Sequence, residues 1–422
     1  MFALVDANSF YCSAEQVFRP EWRNKPIIVL SNNDGMVVAA NRQAKEVGVP
    51  KFQPFFKIKN LCKQRGVIAL SSNYELYSDL SAKMMQVIGR FAPEQHVYSI
   101  DESFLRLHRC QPMIKDFRHH SMQIRKAVWK ECRLPVCVGM GPTVTLAKAA
   151  NHAAKKVQGF NGVCVIDDQQ IRIKVLQSMD VSDVWGVGRK LSGRLKMLNI
   201  KTAWDLALFS PQRARREFSI DMERTVRELN GFPCISWEQS RVDKKQIFST
   251  RSMGNRISDL DALQQALSKH AAIAANKARQ QNTLCPTLTC FAANSPHDEK
   301  PVSFKSVHHF EYPTNDTSVI TKVVTQMATQ LYHPDVLYYK IGVGLVDLFS
   351  ASHQQLDLLN PTPSNDKLMT IFDHINQKYG GDTLFLAAQG IDNEKKNWGM
   401  KRERLTPQYT TKWRDLPKIL CQ

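Results

Sequence analysis
The sequence predicts an α+β protein of several domains, and three observations carry that expectation. The first 170 or so residues alternate short apolar strand-like runs with stretches of helical periodicity. Residues 170–237 change texture to short basic helices joined by tight turns. From residue 246 six elements follow in the order βαββαβ, a split βαβ arrangement able to form a domain of its own. At 422 residues, 43% of them hydrophobic and 23% charged, the chain is too long for one small core and has the balance of a folded protein.

Phe2 to Val5 read as a strand buried on both faces and ending at Asp6. DANSFYCSAEQVF then turns into a helix, with Asn8 or Ser9 as the expected cap. PIIVL at 26–30 is a second strand, closed by the turn-rich SNNDG. Leu76, Leu80, Met84, Val87, Ile88 and Phe91 recur at helical spacing, so 75–91 is an amphipathic helix. Two strands meet near Asp101 and Glu102, and Phe117, Ser121, Ile124 and Val128 mark another helix. VCVGMG is a strand, TLAKAANHAAKK a helix and GVCVID a strand. In the second half the expected strands are 246–255, 284–293, 302–310 and 336–346, and the helices 260–280 and 316–332. EQSRVDKK at 238–245 reads as a linker, and the proline-punctuated stretch beyond 350 as a flexible connector.

Lys and Arg total 57 against 39 acids, a net charge of +18, which points to a polyanionic partner and first of all to nucleic acid. The surplus is concentrated: residues 111–174 carry 11 basic residues against 4 acids, a track suited to a phosphate backbone. No apolar stretch approaches membrane-spanning length, and the N-terminal run lacks a basic flank and is interrupted by Asp6, so a cytoplasmic protein without membrane association is expected. None of the ten cysteines forms a Cys-x-x-Cys pair, which favours free thiols in a reducing compartment. No P-loop pattern occurs, so any triphosphate is held in another way.

VYSIDESFL, residues 97–105, sets Asp101 and Glu102 side by side in an otherwise apolar run. Adjacent acids repel and are costly to desolvate, and in a regular strand they face opposite ways. They cooperate only at a bend, where Asp6 at the end of the first strand supplies a third carboxylate. Divalent cations would relieve such a cluster, and Mg²⁺ favours hard oxygens together with substrate phosphates. The bland readings, solvated turn residues and a helix-entry cap, stay open at this level.

FALVDANSFYCSAE, SNNDGMVVAAN, SSNYELYSDLS, VYSIDESFL and LAKAANHAAKK occur in the order and spacing of the Y-family, lesion-bypass DNA polymerases. The chain resembles the UmuC-type branch of that family over essentially its whole length. The resemblance implies a right-hand polymerase: a ferredoxin-like palm (1–12 and 74–168), small fingers (13–73) and a helical thumb with a helix-hairpin-helix (169–237). A βαββαβ little finger (246–349), a connector (350–370) and a C-terminal tail region (371–422) complete it. It further implies error-prone, template-directed addition of deoxynucleotides from dNTPs to a primer in the SOS response. Asp6, Asp101, Glu102 and the Ala7 carbonyl would hold two Mg²⁺ ions.

For the nucleotide pocket the resemblance makes Tyr11 a steric gate against a 2′-hydroxyl, while Phe10 reads equally well as a core aromatic. Lys45 and Lys155 look like triphosphate-binding cations; many relatives carry Tyr and Arg where this chain has Arg42 and Lys45. Met36, Val37 and Val38 would be the lid over the templating base, or an ordinary buried strand. Gly186 and Gly188 precede a basic helix with Arg189, Lys190, Arg194 and Lys196, a pattern suited to backbone phosphates. Arg251 and Arg256 are further candidates for DNA contact. Gln355, Leu356, Leu358 and Leu359 resemble the peptide by which bacterial proteins bind the sliding clamp. Primer–template DNA, UmuD-type accessory subunits and the RecA filament are the other partners implied. In the tail, Trp398, Tyr409 and Trp413 suit contact with DNA, contact with those subunits, or a small fold. A non-catalytic DNA-binding subunit is the second reading, against which the intact acidic triad and Tyr11 speak. A nucleotide cyclase would explain the acids but not the broad basic charge.

Overall fold
The computed structural model describes residues 1–235, 243–353, 364–391 and 398–417. It separates into two compact units, Met1–Gln239 with Glu403–Gln422, and Ser240–Arg402.

The first unit begins β1 (Phe2–Ala7), α1 (Phe10–Val17), β2 (Ile27–Leu30), β3 (Val37–Ala40), α2 (Arg42–Glu46), α3 (Phe55–Gln64) and β4 (Ile68–Ser71). It continues α4 (Tyr74–Gly89), β5 (Glu94–Val97), β6 (Glu102–Arg106), α5 (Phe117–Cys132), β7 (Val136–Gly141), α6 (Val144–Lys156) and β8 (Val163–Val165). Five helices follow: α7 (Gln169–Gln177), α8 (Arg189–Met197), α9 (Ala203–Leu208), α10 (Pro211–Glu217) and α11 (Ile220–Leu229). The helix expected from the spacing of Leu76 to Phe91 is α4, started by Asn73, whose side chain accepts from the Leu76 amide. Ser9 stands at the start of α1 as expected but does not cap it. Its backbone is left-handed, with φ at 46°, and its hydroxyl donates instead to the Ala40 carbonyl.

The main sheet has the order β5-β6-β1-β7-β8, with β1 antiparallel to both neighbours. Alternation divides β1 between two faces. Ala3 and Val5 enter a core with Tyr77, Met84, Ile124 and Val128 of α4 and α5. Leu4 faces the other way and packs with Phe104, Val144 and Ala147, on the side of α6. Helix α6 lies directly on β7 because Gly139 lacks a side chain: a Cβ there would fall on the Asn151 amide and the Ala147 carbonyl. Asn151 then donates to the carbonyls of Leu4 and Cys137, at 3.2 and 3.0 Å, tying the helix to both strands. A separate sheet, β3-β2-β4, carries its own small core around Ile28, Val37, Phe55 and Ile58.

The second unit runs β9 (Ile247–Ile257), α12 (Leu260–Gln280), β10 (Thr283–Ala293), β11 (Ser303–Thr314), α13 (Thr317–Leu331), β12 (Tyr338–Val346), β13 (Phe349–Ser350) and α14 (Asp366–Tyr379). From β9 to β12 this is the βαββαβ order that the periodicity predicts. Its antiparallel sheet is ordered β11-β10-β12-β9, and α12 and α13 close one core with it through Leu263, Leu267, Ile320, Val324, Leu288 and Val343. The region from 371 onward does not stay together. Residues through Arg402 belong to the second unit, where Asp373 of α14 pairs with Arg279, and residues from Glu403 belong to the first.

Among the described residues no helix is long and apolar enough to cross a membrane. Gly139→Ala is expected to cost about 3 kcal/mol or more, since the helix and not a flexible side chain must give way. Urea unfolding of the purified variant measures it, and a cost within experimental error would contradict the close approach of α6.

Candidate active site
Asp6 and Glu102 are direct partners in the β1–β6 ladder and face the side of the sheet that α6 covers. Asp101 sits one residue earlier, in the turn between β5 and β6, so the two adjacent acids are divided between a turn and a strand. The turn is closed by the Tyr98 and Ser99 amides, which both donate to the Glu102 carbonyl, and the Ala7 amide donates to the Asp101 carbonyl. This is the bend that the adjacent acids required.

Each carboxylate has its own partner. Lys155 Nζ lies 2.5 Å from Asp6 Oδ1. Lys148 Nζ lies 3.1 and 3.2 Å from the two oxygens of Glu102. Ser99 donates its hydroxyl to Asp101 Oδ1 at 2.7 Å. Burial pushes the Asp6 carboxyl up to about 7; Lys155 opposes that shift and Glu102 adds to it. Accordingly, among the described residues no three His, Cys, Asp or Glu side chains stand together in a ready-made metal cage. The donors are nonetheless all hard oxygens, and two of them face one another across a ladder. That set fits Mg²⁺ rather than a softer ion.

Next to the acids opens a cleft of about 1030 Å³ whose basic lining is Arg42, Lys45, Lys51, Arg125, Lys155 and Lys156. Three of these, Arg42, Lys45 and Lys155, are cations that the resemblance implies, and Lys156 adjoins Lys155 in sequence. Lys51 and Arg125 were not expected, because only the tertiary fold carries them to the rim. Arg125 is committed to backbone, donating to the Val136 and Asn161 carbonyls, and Arg42 pairs with Glu46 at 2.7 Å. Lys148 was also missed, although its seven-residue spacing from Lys155 on a helix was a usable signal.

Tyr11 is half-buried and stacks on Tyr77, with ring centroids 4.6 Å apart and planes 18° off parallel. Phe10, 3% exposed, belongs to the core. Tyr77 donates to Glu15 Oε1 at 2.7 Å. The segment expected as a lid, or as an ordinary buried strand, is partly buried. Val37 alternates inward on β3 and is wholly buried, so of the three residues only Met36 and Val38 keep exposed surface.

Gly186 adopts φ +88°, and Gly188 is the first cap of α8, whose N-terminal Arg189 and Lys190 are exposed. Arg194 and Lys196, expected on the same basic face, are engaged by the Glu217 carbonyl and by Asp180. Arg256 is held bidentately by Asp298. Arg251 is half-buried. In the tail, Tyr409 stacks on Phe18 at 4.7 Å within the first core, Trp398 packs against the second core, and Trp413 is 91% exposed. Gln355, Leu356, Leu358 and Leu359 lie outside the described residues.

Comparison with known proteins places this chain in a family. A model of the impB/mucB/samB family matches residues 5–152, its C-terminal domain 244–358, and the IMS family HHH motif 172–200. A domain of unknown function, DUF4113, matches 366–419. Protein UmuC of Salmonella typhimurium is 40% identical over 99% of this chain and 100% of its own length. The chain belongs to the impB/mucB/samB family. Within this family of UmuC-type Y-family polymerases, Protein MucB of Escherichia coli is 37% identical over 99% of each chain. More distantly, DNA polymerase IV of Pelotomaculum thermopropionicum is 25% identical over 91% of this chain and 94% of its own. The fold is shared with a Dbh–Dpo4–Dbh Y-family DNA polymerase chimera, with a TM-score of 0.64 at 21% identity over 83% of this chain and 100% of that one. An insertion ternary complex of Dbh DNA polymerase gives a TM-score of 0.52 at 20% identity over the same shares.

The Glu15 carboxyl, fully buried, is pushed from 4.5 up to about 7, first by burial, with the Tyr77 hydrogen bond opposing. Between those values the folded chain keeps a proton that the unfolded chain releases. The site's contribution to stability is therefore present below pH 4.5 and lost as pH rises through about 7. Relative to wild type, Glu15→Gln is expected to gain up to about 3 kcal/mol across that window and nothing further above it. Denaturant unfolding at several pH values measures the difference, and a constant gap would contradict the shift.

Proposed function
We propose that the chain is a DNA-directed DNA polymerase that adds deoxynucleotides from dNTPs to a primer 3′ end, including opposite damaged template bases, in the cytoplasmic SOS response. The observation that carries the reading is the pairing of Asp6 with Glu102 across one ladder, with Asp101 in the adjoining turn and a basic cleft alongside. Asp6, Asp101, Glu102 and the Ala7 carbonyl would hold two Mg²⁺ ions. When bound, these supply Lewis-acid stabilisation to the attacking 3′-hydroxyl and the departing pyrophosphate.

The chain's own groups do the rest. Lys45, Lys51, Lys155 and Arg42 surround the cleft with positive charge suited to a triphosphate. Tyr11, braced by Tyr77, presents a flat ring that would lie under the incoming sugar and leave no room for a 2′-hydroxyl. Arg189 and Lys190 at the start of α8, with the Gly186–Gly188 turn, offer amide and cationic donors to a DNA backbone. In this reading the main sheet and α4–α6 form the palm, 13–73 the fingers, 169–237 the thumb and 246–349 the little finger. UmuD-type subunits, the RecA filament and a sliding clamp met by Gln355, Leu356, Leu358 and Leu359 complete the proposed partners.

Single-nucleotide extension with Mg²⁺ on undamaged and abasic templates, with and without accessory subunits and RecA-coated DNA, tests the reading. Wild type is expected to extend both, and Asp101→Asn to lose roughly 10²-fold or more in rate. If wild type adds no nucleotide under any of these conditions while still binding DNA, the chain is a non-catalytic subunit. Tyr11→Ala is expected to raise ribonucleotide use relative to deoxyribonucleotide use by at least about tenfold. An unchanged ratio would remove Tyr11 from the gate.

A further inference from the structure
We infer that Lys148 is a positioning residue for Glu102, held by a cage of three aromatic rings, one of which, Trp185, comes from the segment leading into α8. The inference rests on the polymerase reading of the acidic pair. The Lys148 ammonium is centred 4.5 Å from the Tyr98 ring, 5.4 Å from Trp185 and 5.8 Å from Phe104. It also reaches both oxygens of Glu102, at 3.1 and 3.2 Å. The two side chains are only 16% and 19% exposed. An ammonium on a four-carbon stem ordinarily samples many positions in water. Here ring faces surround it, their quadrupoles attract it, and it meets the carboxylate at one fixed point.

The rings hold one another. Tyr98 stands edge-to-face with Phe104 at 5.7 Å and 79°, and with Trp185 at 5.9 Å and 85°. Trp185 Nε1 donates to the Tyr98 hydroxyl at 3.3 Å. Tyr98 also belongs to the turn that ends in Asp101, its amide bonded to the Glu102 carbonyl. The cage therefore fixes the turn and the carboxylate together. Its third wall comes from the residue before Gly186, the start of the glycine turn that leads into α8. Seating of that turn on a DNA backbone then bears on Trp185, and through Lys148 on Glu102.

Lys155 serves Asp6 from the same helix, two turns on, but among the described residues no aromatic ring is paired with it, and it lines the cleft. The two lysines are thus expected to behave differently. Lys148 stays with its carboxylate, while Lys155 exchanges Asp6 for a triphosphate.

The test compares Lys148→Met, Lys148→Arg and Trp185→Phe in the full chain with its accessory partners, folding being checked by thermal unfolding. In single-turnover extension Lys148→Met is expected to slow insertion at least tenfold and to raise the half-saturating Mg²⁺ several-fold. Affinities for dNTP and primer–template should stay within twofold. Lys148→Arg, which restores a cation to the cage, should recover the rate to within threefold, and Trp185→Phe should fall between. A second readout needs no turnover. In protein labelled with 5-fluorotryptophan, the ¹⁹F resonance lost in Trp185→Phe should shift when Ca²⁺ is added to the primer–template complex, and should not shift in Lys148→Met. Wild-type rate and Mg²⁺ dependence in Lys148→Met, or a Trp185 resonance indifferent to Ca²⁺ in the wild type, overturns the inference. If Lys148→Met does not fold, the Trp185→Phe rate and the wild-type Ca²⁺ response decide it. A wild type that extends no primer refutes the polymerase reading, while the Ca²⁺ response still reports on the link between Lys148 and Trp185.

Discussion
Two carboxylates face each other across the β1–β6 ladder, and the positive charge that makes this bearable comes from one helix laid over them. Almost everything else in the first unit follows from that constraint. Burial raises the proton affinity of the Asp6 carboxyl, and the neighbouring Glu102 adds to that shift while Lys155 opposes it. Helix α6 answers with lysines two turns apart, and between them Asn151 grips the strand carbonyls beneath. None of this reaches unless the helix rests on bare backbone, which Gly139 allows.

The same helix divides two duties. At one end Lys148 is mostly buried among three aromatic rings. At the other Lys155 lines an open basic cleft whose charge suits a polyanion. In the proposed function, the fixed cation would steady Glu102 while the exchangeable one passes from Asp6 to a triphosphate. Both lysines sit on one helix, which keeps their spacing constant.

Behind the cleft the architecture is reinforced from the far end of the chain. Residues 403–417 lie along the first unit. Arg404 exchanges hydrogen bonds with Ser71, Thr406 accepts from Asn73 at the head of α4, and Thr410 donates to Asp79 on the same helix. Arg19 meets the Tyr409 hydroxyl at 3.0 Å, and Tyr409 covers Phe18. This strap passes over the elements that brace Tyr11, through Tyr77 and the buried Glu15. Residues 403–417 therefore brace the start of α4 and the end of α1, the helices that carry Tyr77 and Tyr11.

Periodicity and composition alone determined β1, β2 and α4 to α6, the βαββαβ order of the second half and the basic character that calls for a polyanion, but not α2, α3, β4 or α14. They also located the bend at Asp101 and Glu102, because adjacent acids in an apolar run leave few alternatives. Those features are local, and local patterns are what a sequence displays. Tertiary structure decided the rest. Lys148, Lys51 and Arg125 become neighbours of the acids or the cleft only once α6 lies on β7 and the small sheet closes beside it, so no spacing between them could announce it. Val37 turns inward, and Arg194 and Lys196 are spent on their own neighbours, because register and helix packing assign faces that residue type leaves open. The tail divides between two units for the same reason: a segment without strong periodicity takes its place from whichever core offers partners, here Phe18 and Asn73 for Tyr409 and Thr406.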